Sequence, residues 1–136
     1  MVSAGKTNIF IVEDHPYMRE ILRQYLEMED DFEICGVAET AEIALESIPL
    51  ASPDLVLVDV SLPGMSGIEL VTRLRAADPD VACLMLSGHG ERSHVRRAAE
   101  AGARGYVLKS DTSELSAAIR RVATDKSYFA GMQSPL

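Results

Sequence analysis

Residues Leu55–Asp59 read Leu-Val-Leu-Val-Asp, four apolar residues that end in a single aspartate. A run that is apolar at every position is typical of a central parallel strand, which is buried on both of its faces. An acidic side chain that closes such a strand lies at the edge of the sheet. The stretch therefore predicts an α/β fold in which Asp59 stands at the carboxyl edge, where open sheets of this class bind their ligands.

Three other strand-length apolar runs also end in polar residues. They are Ile9–Val12 before Glu13-Asp14, Leu84–Leu86 before Ser87, and Tyr106–Leu108 before Lys109. If these strands lie parallel in one sheet, their polar side chains converge at the edge where Asp59 is expected. Three carboxylates, a hydroxyl and an ammonium at one place predict a site for a divalent cation and a phosphoryl group.

The segments between the strands have helical periodicity, with apolar residues three and four positions apart. Strands are predicted at about Asn8–Val12, Phe32–Ala38, Leu55–Asp59, Val81–Ser87 and Gly105–Leu108. Helices are predicted at about Pro16–Glu29, Ala41–Ile48, Ser66–Ala77 and Glu91–Ala101, and a fifth starts near Asp111-Thr112. This alternation predicts a (βα)5 doubly wound parallel sheet with helices on both sides. We take the flavodoxin-like strand order 2-1-3-4-5 as the expected topology.

The composition fits one soluble domain. The chain has 136 residues, of which 47% are apolar, and a net charge of −8. Its sequence pI of about 4.8 argues against gripping DNA or an anionic membrane by charge alone. The N-terminus has no signal-peptide pattern, and the apolar runs are far shorter than the ~20 residues that span a bilayer. We therefore expect a cytoplasmic protein that makes no membrane contact.

The two cysteines are expected to be buried apolar residues. Cys35 falls in the second predicted strand and Cys83 in the fourth. If the strand order is 2-1-3-4-5, two strands separate them, which is roughly 14 Å and too far for a disulfide.

Asp59 is the candidate nucleophile, because a carboxylate can accept a phosphoryl group and become an acyl phosphate. Glu13 and Asp14 end the strand that neighbours the strand of Asp59. Three carboxylates this close repel one another unless a cation lies among them, and Mg²⁺ prefers such oxygen ligands. The alternative for Asp59 is an aspartate that caps a turn. The alternative for the acidic pair is that Asp14 caps the first helix and Glu13 is solvated.

Lys109 and Ser87 are candidates for contact with a phosphoryl group. Lys109 can reach a phosphoryl oxygen, or pair with Asp59 when no phosphoryl group is present. The hydroxyl of Ser87 can donate to the same group. Each residue taken alone could be an ordinary strand-end side chain, and only the joint arrangement favours a site. The sequence has neither a phosphate-binding GxxxxGK[ST] loop nor a GxGxxG motif, so a phosphorylated partner protein fits better as the donor than a nucleotide does.

From about Asn8 to Thr124, the chain resembles the receiver domain of a bacterial two-component response regulator. The matching features are Glu13-Asp14, Asp59 before the loop Leu62–Gly67, Ser87, and Tyr106–Lys109. The resemblance implies that a histidine kinase transfers a phosphoryl group to Asp59. It also implies that the domain is a signalling switch and not an enzyme, beyond catalysing its own phosphotransfer and slow dephosphorylation.

The resemblance further implies roles for individual residues. Asp14, Asp59 and the backbone carbonyl of Ser61 would bind Mg²⁺ directly, and Glu13 would act mainly through water. Ser87 and Tyr106 would form the switch pair. On phosphorylation Ser87 would move toward the phosphoryl group and Tyr106 would turn inward, which would remodel the face formed by helix 4, strand 5 and helix 5.

One departure from the family concerns the residue after Lys109. Many members have a cis proline there, whereas this chain has Ser110. A cis bond before serine is costly, so the geometry of this loop stays open. The Lys109-Ser110 pair, together with Tyr128-Phe129 in the tail, is similar to the NarL/LuxR-type subgroup.

Members of that subgroup carry a helix-turn-helix DNA-binding domain after the receiver. We therefore expect residues 1–126 to form the receiver domain and residues 127–136 to be a linker, or the start of the connection to an output domain that this chain lacks. The expected output is transcription, with DNA contacted only through that domain. Dimerisation on phosphorylation is a further expectation.

Two loop residues are expected to tune the lifetime of the phosphorylated state. Ser61 and His89 each lie two positions beyond a site residue, and in this family such positions control access of the attacking water. The alternative is that both contact only solvent. Four arginines, Arg92, Arg96, Arg97 and Arg104, are either a docking face for an acidic partner or, as we expect, a solvated helix face.

Two rivals come from other functional classes. A Mg²⁺-dependent phosphohydrolase with an aspartyl-phosphate intermediate usually has its nucleophile on the first strand in a DxD arrangement, whereas Asp59 is on the third strand and is followed by Val60-Ser61. A nucleotide-binding flavodoxin-like module would need a phosphate-binding loop. A stand-alone receiver that acts through protein contacts is an alternative for the output.

Overall fold

A six-stranded parallel sheet forms the centre of the protein. The computed structural model describes residues 6–88, 92–110 and 112–129. The strands are β1 (Thr7–Val12), β2 (Phe32–Ala38), β3 (Leu55–Asp59), β4 (Ala82–Ser87), β5 (Gly105–Leu108) and β6 (Tyr128–Phe129). The helices are α1 (Pro16–Glu27), α2 (Ala41–Ala51), α3 (Gly67–Ala77), α4 (Arg92–Ala101) and α5 (Leu115–Ala123), with a single 3₁₀ turn at Thr112–Glu114. The strand order is β2-β1-β3-β4-β5-β6, which confirms the predicted fold class and the order of its first five strands.

The sheet separates two apolar layers. Leu55 and Leu57 of β3 face the layer covered by α1 and α5, whereas Val56 and Val58 face the layer covered by α2, α3 and α4. Successive residues of a strand point to opposite faces, so a strand that is apolar at every position can fill both layers. This explains why Leu55–Asp59 is buried throughout.

The register of the strands brings their polar ends together. Val58 of β3 pairs with Val12 of β1, so Glu13 follows β1 at the level of Asp59. Asp59 pairs with Leu86 of β4, one residue before Ser87. In turn Ser87 pairs with Leu108 of β5, and Lys109 follows directly.

Helix α2 is longer than predicted. The helix was predicted to end at Ile48, but it continues through Pro49 to Ala51. The extension ends when the amide of Ser52 donates to the carbonyl of Ile48 at 2.8 Å, with Ser52 in the left-handed region at φ 50°. Pro49 has no N–H, which removes one helical hydrogen bond but leaves this closing bond intact.

The C-terminal strand β6 was not predicted. Tyr128–Phe129 pairs with β5 and lies inside the segment that was expected to be a linker. The sheet therefore continues past residue 126, and the output-domain connection expected in this segment remains a prediction.

The predicted separation of the cysteines is confirmed. Cys35 is half-buried on β2 and Cys83 is buried on β4, with β1 and β3 between these strands, and both thiols are free. Burial raises the pKa of Cys83 to about 12, so its thiol stays neutral.

Candidate functional site

An acidic cluster occupies the carboxyl edge of the sheet. Glu13, Asp14 and Asp59 each place a carboxylate oxygen such that these atoms all lie within 4.8 Å of one another. Glu13 is 1% exposed, Asp59 is 3% exposed and Asp14 is half-buried. The structure thus brings together the three carboxylates that the sequence predicts to meet.

Asp59 is held by two donors. Its Oδ2 accepts from the ammonium of Lys109 at 2.9 Å, and its Oδ1 accepts from the backbone amide of Ser61 at 3.0 Å. The amide of Lys109 donates to the carbonyl of Ser87 at 2.7 Å, which ties the ends of β4 and β5 together. The carboxylate is therefore fixed in position, and the ammonium of Lys109 offsets its negative charge.

Glu13 is a buried carboxylate whose surroundings raise its pKa. Its Oε1 is 3.2 Å from Lys109 Nζ but accepts no well-directed hydrogen bond, whereas its Oε2 accepts from the amide of His15 at 3.2 Å. Burial and the neighbouring charge of Asp59 raise the pKa of Glu13 to about 7. Burial alone would lower the pKa of Lys109, but its contacts with Asp59 and Glu13 outweigh this and raise it.

These residues fit a hard divalent cation. Glu13 Oε1 is a buried oxygen that accepts no hydrogen bond from the described residues, and burial together with the neighbouring charge of Asp59 raises the pKa of Glu13. Carboxylate oxygens from two adjacent strands are the ligands that Mg²⁺ prefers. A cation among Glu13, Asp14 and Asp59 would give Glu13 Oε1 a partner and would lower the pKa of Glu13.

The predicted switch residues are both buried. Ser87 is 1% exposed at the end of β4, and Tyr106 is 2% exposed within the apolar layer that contains Met85 and Val95. The tyrosine ring thus already has the inward position that the resemblance associates with the phosphorylated form. The predicted movement of the pair remains a prediction.

Of the two predicted rate-tuning residues, Ser61 and His89, the structure describes only Ser61. Ser61 is exposed and its amide contacts Asp59, whereas His89 lies outside the described residues. The open question about the Lys109-Ser110 loop is answered in part, because no cis peptide bond occurs among the described residues. The rate-tuning roles of Ser61 and His89, and the Ser61 carbonyl as a ligand, stay predictions.

The arginines do not all share one environment. Arg96 and Arg97 are exposed on α4, whereas Arg104 pairs with Asp125 at 2.5 Å. The side chain of Arg92 lies outside the described residues. The exposure of Arg96 and Arg97 fits a solvated helix face, but it does not test the choice between that face and a docking face.

Two further residues shape the site. Arg19 of α1 donates to the backbone carbonyl of Glu13 at 2.8 Å and so fixes the corner that carries the acidic pair. Gly67, the first residue of α3, lies so close to Asp59 that a Cβ would be 2.1 Å from its carbonyl oxygen. The sequence offered no signal for Arg19, whereas Gly67 ends a turn-rich loop and could have been recognised as a point of close approach.

The chain is similar to known proteins in both sequence and fold. The sequence matches the family described as response regulator receiver domain over residues 9–120. The chain is a response regulator receiver domain. The predicted resemblance to this family is therefore confirmed. Response regulator receiver domains belong to two-component systems.

Relatives of this receiver domain are transcription regulators. It is 36% identical to the transcriptional regulatory protein DegU of Brevibacillus brevis, over 94% of this chain and 55% of that protein. It is 34% identical to the DNA-binding transcriptional activator DevR/DosR of Mycobacterium tuberculosis, over 89% of this chain and 56% of that protein. The chain thus spans about half the length of these curated relatives.

Solved structures place the receiver domain in the NarL/LuxR-type subgroup. A LuxR-family response regulator from Aurantimonas sp. SI85-9A1 is 33% identical with a TM-score of 0.88, covering 96% of this chain and 91% of that one. The receiver domain of the response regulator NarL from Mycobacterium tuberculosis is 30% identical with a TM-score of 0.83, covering 89% and 98%. Within the described residues, every helix is too short or too polar to cross a membrane.

Proposed function

We propose that this receiver domain accepts a phosphoryl group on Asp59 from the phosphohistidine of a histidine kinase, with Mg²⁺ as the cofactor. The observation that carries the proposal is the Asp59 carboxylate itself. It is 3% exposed, stands at the carboxyl edge of the sheet and is held 2.9 Å from Lys109 Nζ. A carboxylate that only capped a turn would not need the acidic pair Glu13-Asp14 and a lysine from two other strands around it.

The transfer requires an in-line displacement at phosphorus. A carboxylate oxygen of Asp59 forms the new P–O bond as the P–N bond of the phosphohistidine breaks, and the electron pair leaves with the imidazole nitrogen. Lys109 exchanges its contact with Asp59 for one with a phosphoryl oxygen, and the hydroxyl of Ser87 donates to another. These contacts compensate the charge that spreads over the equatorial oxygens.

Glu13, Asp14 and Asp59 would hold the cation. By the resemblance, Asp14, Asp59 and the backbone carbonyl of Ser61 are direct ligands, and Glu13 acts through water. When bound there, Mg²⁺ would supply positive charge that offsets the repulsion between the carboxylates and the phosphoryl group. The residues of the chain provide alignment, because β1 and β3 fix the carboxylates in register.

The output is a change of the face formed by α4, β5 and α5, with Ser87 and Tyr106 as the switch pair. The relatives DegU and DevR/DosR are named as transcription regulators, and this chain matches 55% and 56% of their lengths. We therefore propose that phosphorylation controls transcription in the cytoplasm, through a DNA-binding domain outside this sequence and with dimerisation on phosphorylation. In this account the domain is a switch and not an enzyme that turns over a substrate.

Acetyl phosphate and intact-mass spectrometry test the proposal. The wild-type chain with Mg²⁺ is expected to gain one phosphoryl group, and Asp59→Asn, which keeps the shape of the side chain, is expected to gain none. Removal of Mg²⁺ with a chelator should also abolish the adduct. No adduct on the wild-type chain would contradict the proposal, and repeated turnover of small phosphoesters would favour the rival phosphohydrolase.

A further inference from the structure

The two-residue strand β6 closes the sheet beside the predicted switch residue. Tyr128 is the register partner of Gly105, and Phe129 is the register partner of Tyr106. The amide of Tyr128 donates to the carbonyl of Arg104 at 3.0 Å, which fixes the register. The chain after α5 therefore returns to the edge of β5 at the position of Tyr106.

Gly105 makes this close approach possible. A Cβ at this position would lie 2.7 Å from the carbonyl oxygen of Tyr128 and 2.6 Å from a methyl carbon of Leu84. Any larger residue would push β6 away from the edge or push into the core beneath it. The glycine thus provides room for a strand that the sequence pattern did not indicate.

The aromatic side chains of β6 lie on opposite faces of the sheet. Phe129 packs against the apolar layer that contains Tyr106, and Tyr128 packs against the opposite layer, which α5 covers. Register partners in parallel strands point to the same face, so Phe129 and Tyr106 are neighbours in one layer. The position of the Tyr106 ring therefore decides how well Phe129 can pack.

A few polar contacts hold the segment that leads into β6. The hydroxyl of Tyr128 donates to the carboxylate of Glu114, and Arg104 pairs with Asp125 at 2.5 Å. Arg121 also donates to the carbonyl of Ser127 at 3.3 Å. Most of these side chains are exposed or half-buried, and a two-residue strand buries little apolar area. The pairing of β6 with β5 therefore contributes only a small part of the free energy of unfolding. It can be lost without unfolding the domain.

We propose that the position of the Tyr106 ring controls whether β6 pairs with β5, and that this pairing carries the state of Tyr106 to the chain beyond residue 129. When Tyr106 is inward, Phe129 packs against its layer and β6 stays paired with β5. When Tyr106 turns outward, Phe129 loses this packing and β6 dissociates from the edge of the sheet. The link to phosphorylation rests on the proposed function, whereas the link between Tyr106 and β6 does not.

The first experiment measures the link without phosphorylation. The chain contains four tyrosines, so labelling with 3-fluorotyrosine gives four ¹⁹F signals, and loss of one in Tyr106→Phe assigns Tyr106. The change of each signal between H₂O and D₂O reports how much solvent the ring contacts. Coupling between sites is reciprocal, so unseating β6 with Phe129→Ala should expose the ring of Tyr106.

The expected result is a larger solvent isotope shift for Tyr106 in Phe129→Ala and a nearly unchanged shift in Phe129→Leu, which keeps the apolar bulk. Leu50→Ala is the control, because Leu50 is 89% exposed on α2. Phe129 is a half-buried residue of the edge strand that packs against the core from outside, so the domain is expected to stay folded without it. A Tyr106 signal that stays as protected in Phe129→Ala as in the wild type would overturn the proposal.

The second experiment measures amide hydrogen exchange of residues 124–129 with acetyl phosphate and Mg²⁺. Phosphorylation favours the inward Tyr106, so exchange at Tyr128 should slow about tenfold, and Asp59→Asn should show no change. Equal exchange in samples that mass spectrometry shows to be phosphorylated and unphosphorylated would overturn the proposal. If no phosphoryl group is gained, it is the proposed function that fails, and the isotope shift alone then decides whether Tyr106 and β6 are coupled.

Discussion

Gly67→Ala is the substitution that tests most sharply how the fold positions Asp59. Gly67 begins α3, and its amide donates to the carbonyl of Val60 at 3.1 Å. An added Cβ would lie 2.1 Å from the carbonyl oxygen of Asp59, 2.9 Å from its carbonyl carbon and 3.0 Å from the Cα of Val60. All three atoms belong to the backbone, so no change of rotamer can relieve the clash.

The geometry sets the size of the effect. To bring the Cβ and the oxygen of Asp59 even to 3.0 Å, α3 and the end of β3 must separate by about 0.9 Å. Overpacking of this kind costs about 1–3 kcal/mol of the free energy of unfolding. A displacement of about 1 Å at a reacting group lowers a rate by about 10²-fold, so phosphorylation of Asp59 by acetyl phosphate should slow by that factor.

The assay compares Gly67→Ala with Gly88→Ala. A Cβ at Gly88, which follows β4 at the same edge of the sheet, would meet none of the described residues within 4 Å. Urea unfolding gives the stability change, and intact-mass spectrometry over time gives the phosphorylation rate. The reasoning is refuted if Gly67→Ala has the stability and the phosphorylation rate of the wild type. It is also refuted if Gly88→Ala loses as much stability and rate as Gly67→Ala does.

Three further predictions concern the charges of the domain. The pKa of Glu13 is raised from 4.5 to about 7, so without divalent cations its contribution to stability is present below pH 4.5 and is lost as the pH rises through 7. Urea unfolding across this range should show a smaller fall in stability for Glu13→Gln than for the wild type. Mg²⁺ should raise the melting temperature of the wild type, and Asp14→Asn should lose most of that rise, as measured by calorimetry. Arg120 pairs with Glu29 at 2.7 Å and with Asp31 at 2.9 Å, and its guanidinium lies 4.9 Å from the ring centre of Phe32. Because Arg120 is 45% exposed, Arg120→Ala should cost only about 1 kcal/mol of unfolding free energy, and less at high salt.

Most of the fold could be predicted because its pattern is strong and local. Buried parallel strands are apolar at every position, and the helices between them show a clear apolar face, so β2, β3 and β5 were predicted with their observed bounds. The ends of α1 and α2 were less certain, because the last turn of a helix depends on contacts that periodicity does not show. Pro49 is the clearest example, since tertiary packing and the bond at Ser52 carry the helix past a residue that usually ends one.

The candidate site was predictable for a different reason. The carboxyl ends of parallel strands share one edge, so the residue after each strand could be placed in space without a structure. This brought together Asp59, Glu13, Asp14 and Lys109, which the structure confirms as neighbours. The distances, the raised pKa of Glu13 and its unbonded Oε1 could not be read from the sequence, because they depend on burial at the scale of single atoms.

The tail shows where such sequence reasoning stops. Tyr128–Phe129 is too short to show strand periodicity and lies in a segment that was expected to be a linker. Its place in the sheet depends on Gly105, more than twenty residues earlier, which lacks the Cβ that would exclude it. A pairing that depends on a single distant residue leaves no local signal.

Reduction with borohydride after treatment with acetyl phosphate and Mg²⁺ tests the central claim most directly. Borohydride converts an aspartyl phosphate to homoserine, so peptide mapping identifies the residue that carried the phosphoryl group. We predict homoserine at position 59 in the wild-type chain and none when Mg²⁺ is removed. Homoserine at Asp14 or elsewhere, or a phosphoryl adduct on the whole chain without homoserine at position 59, would contradict the account.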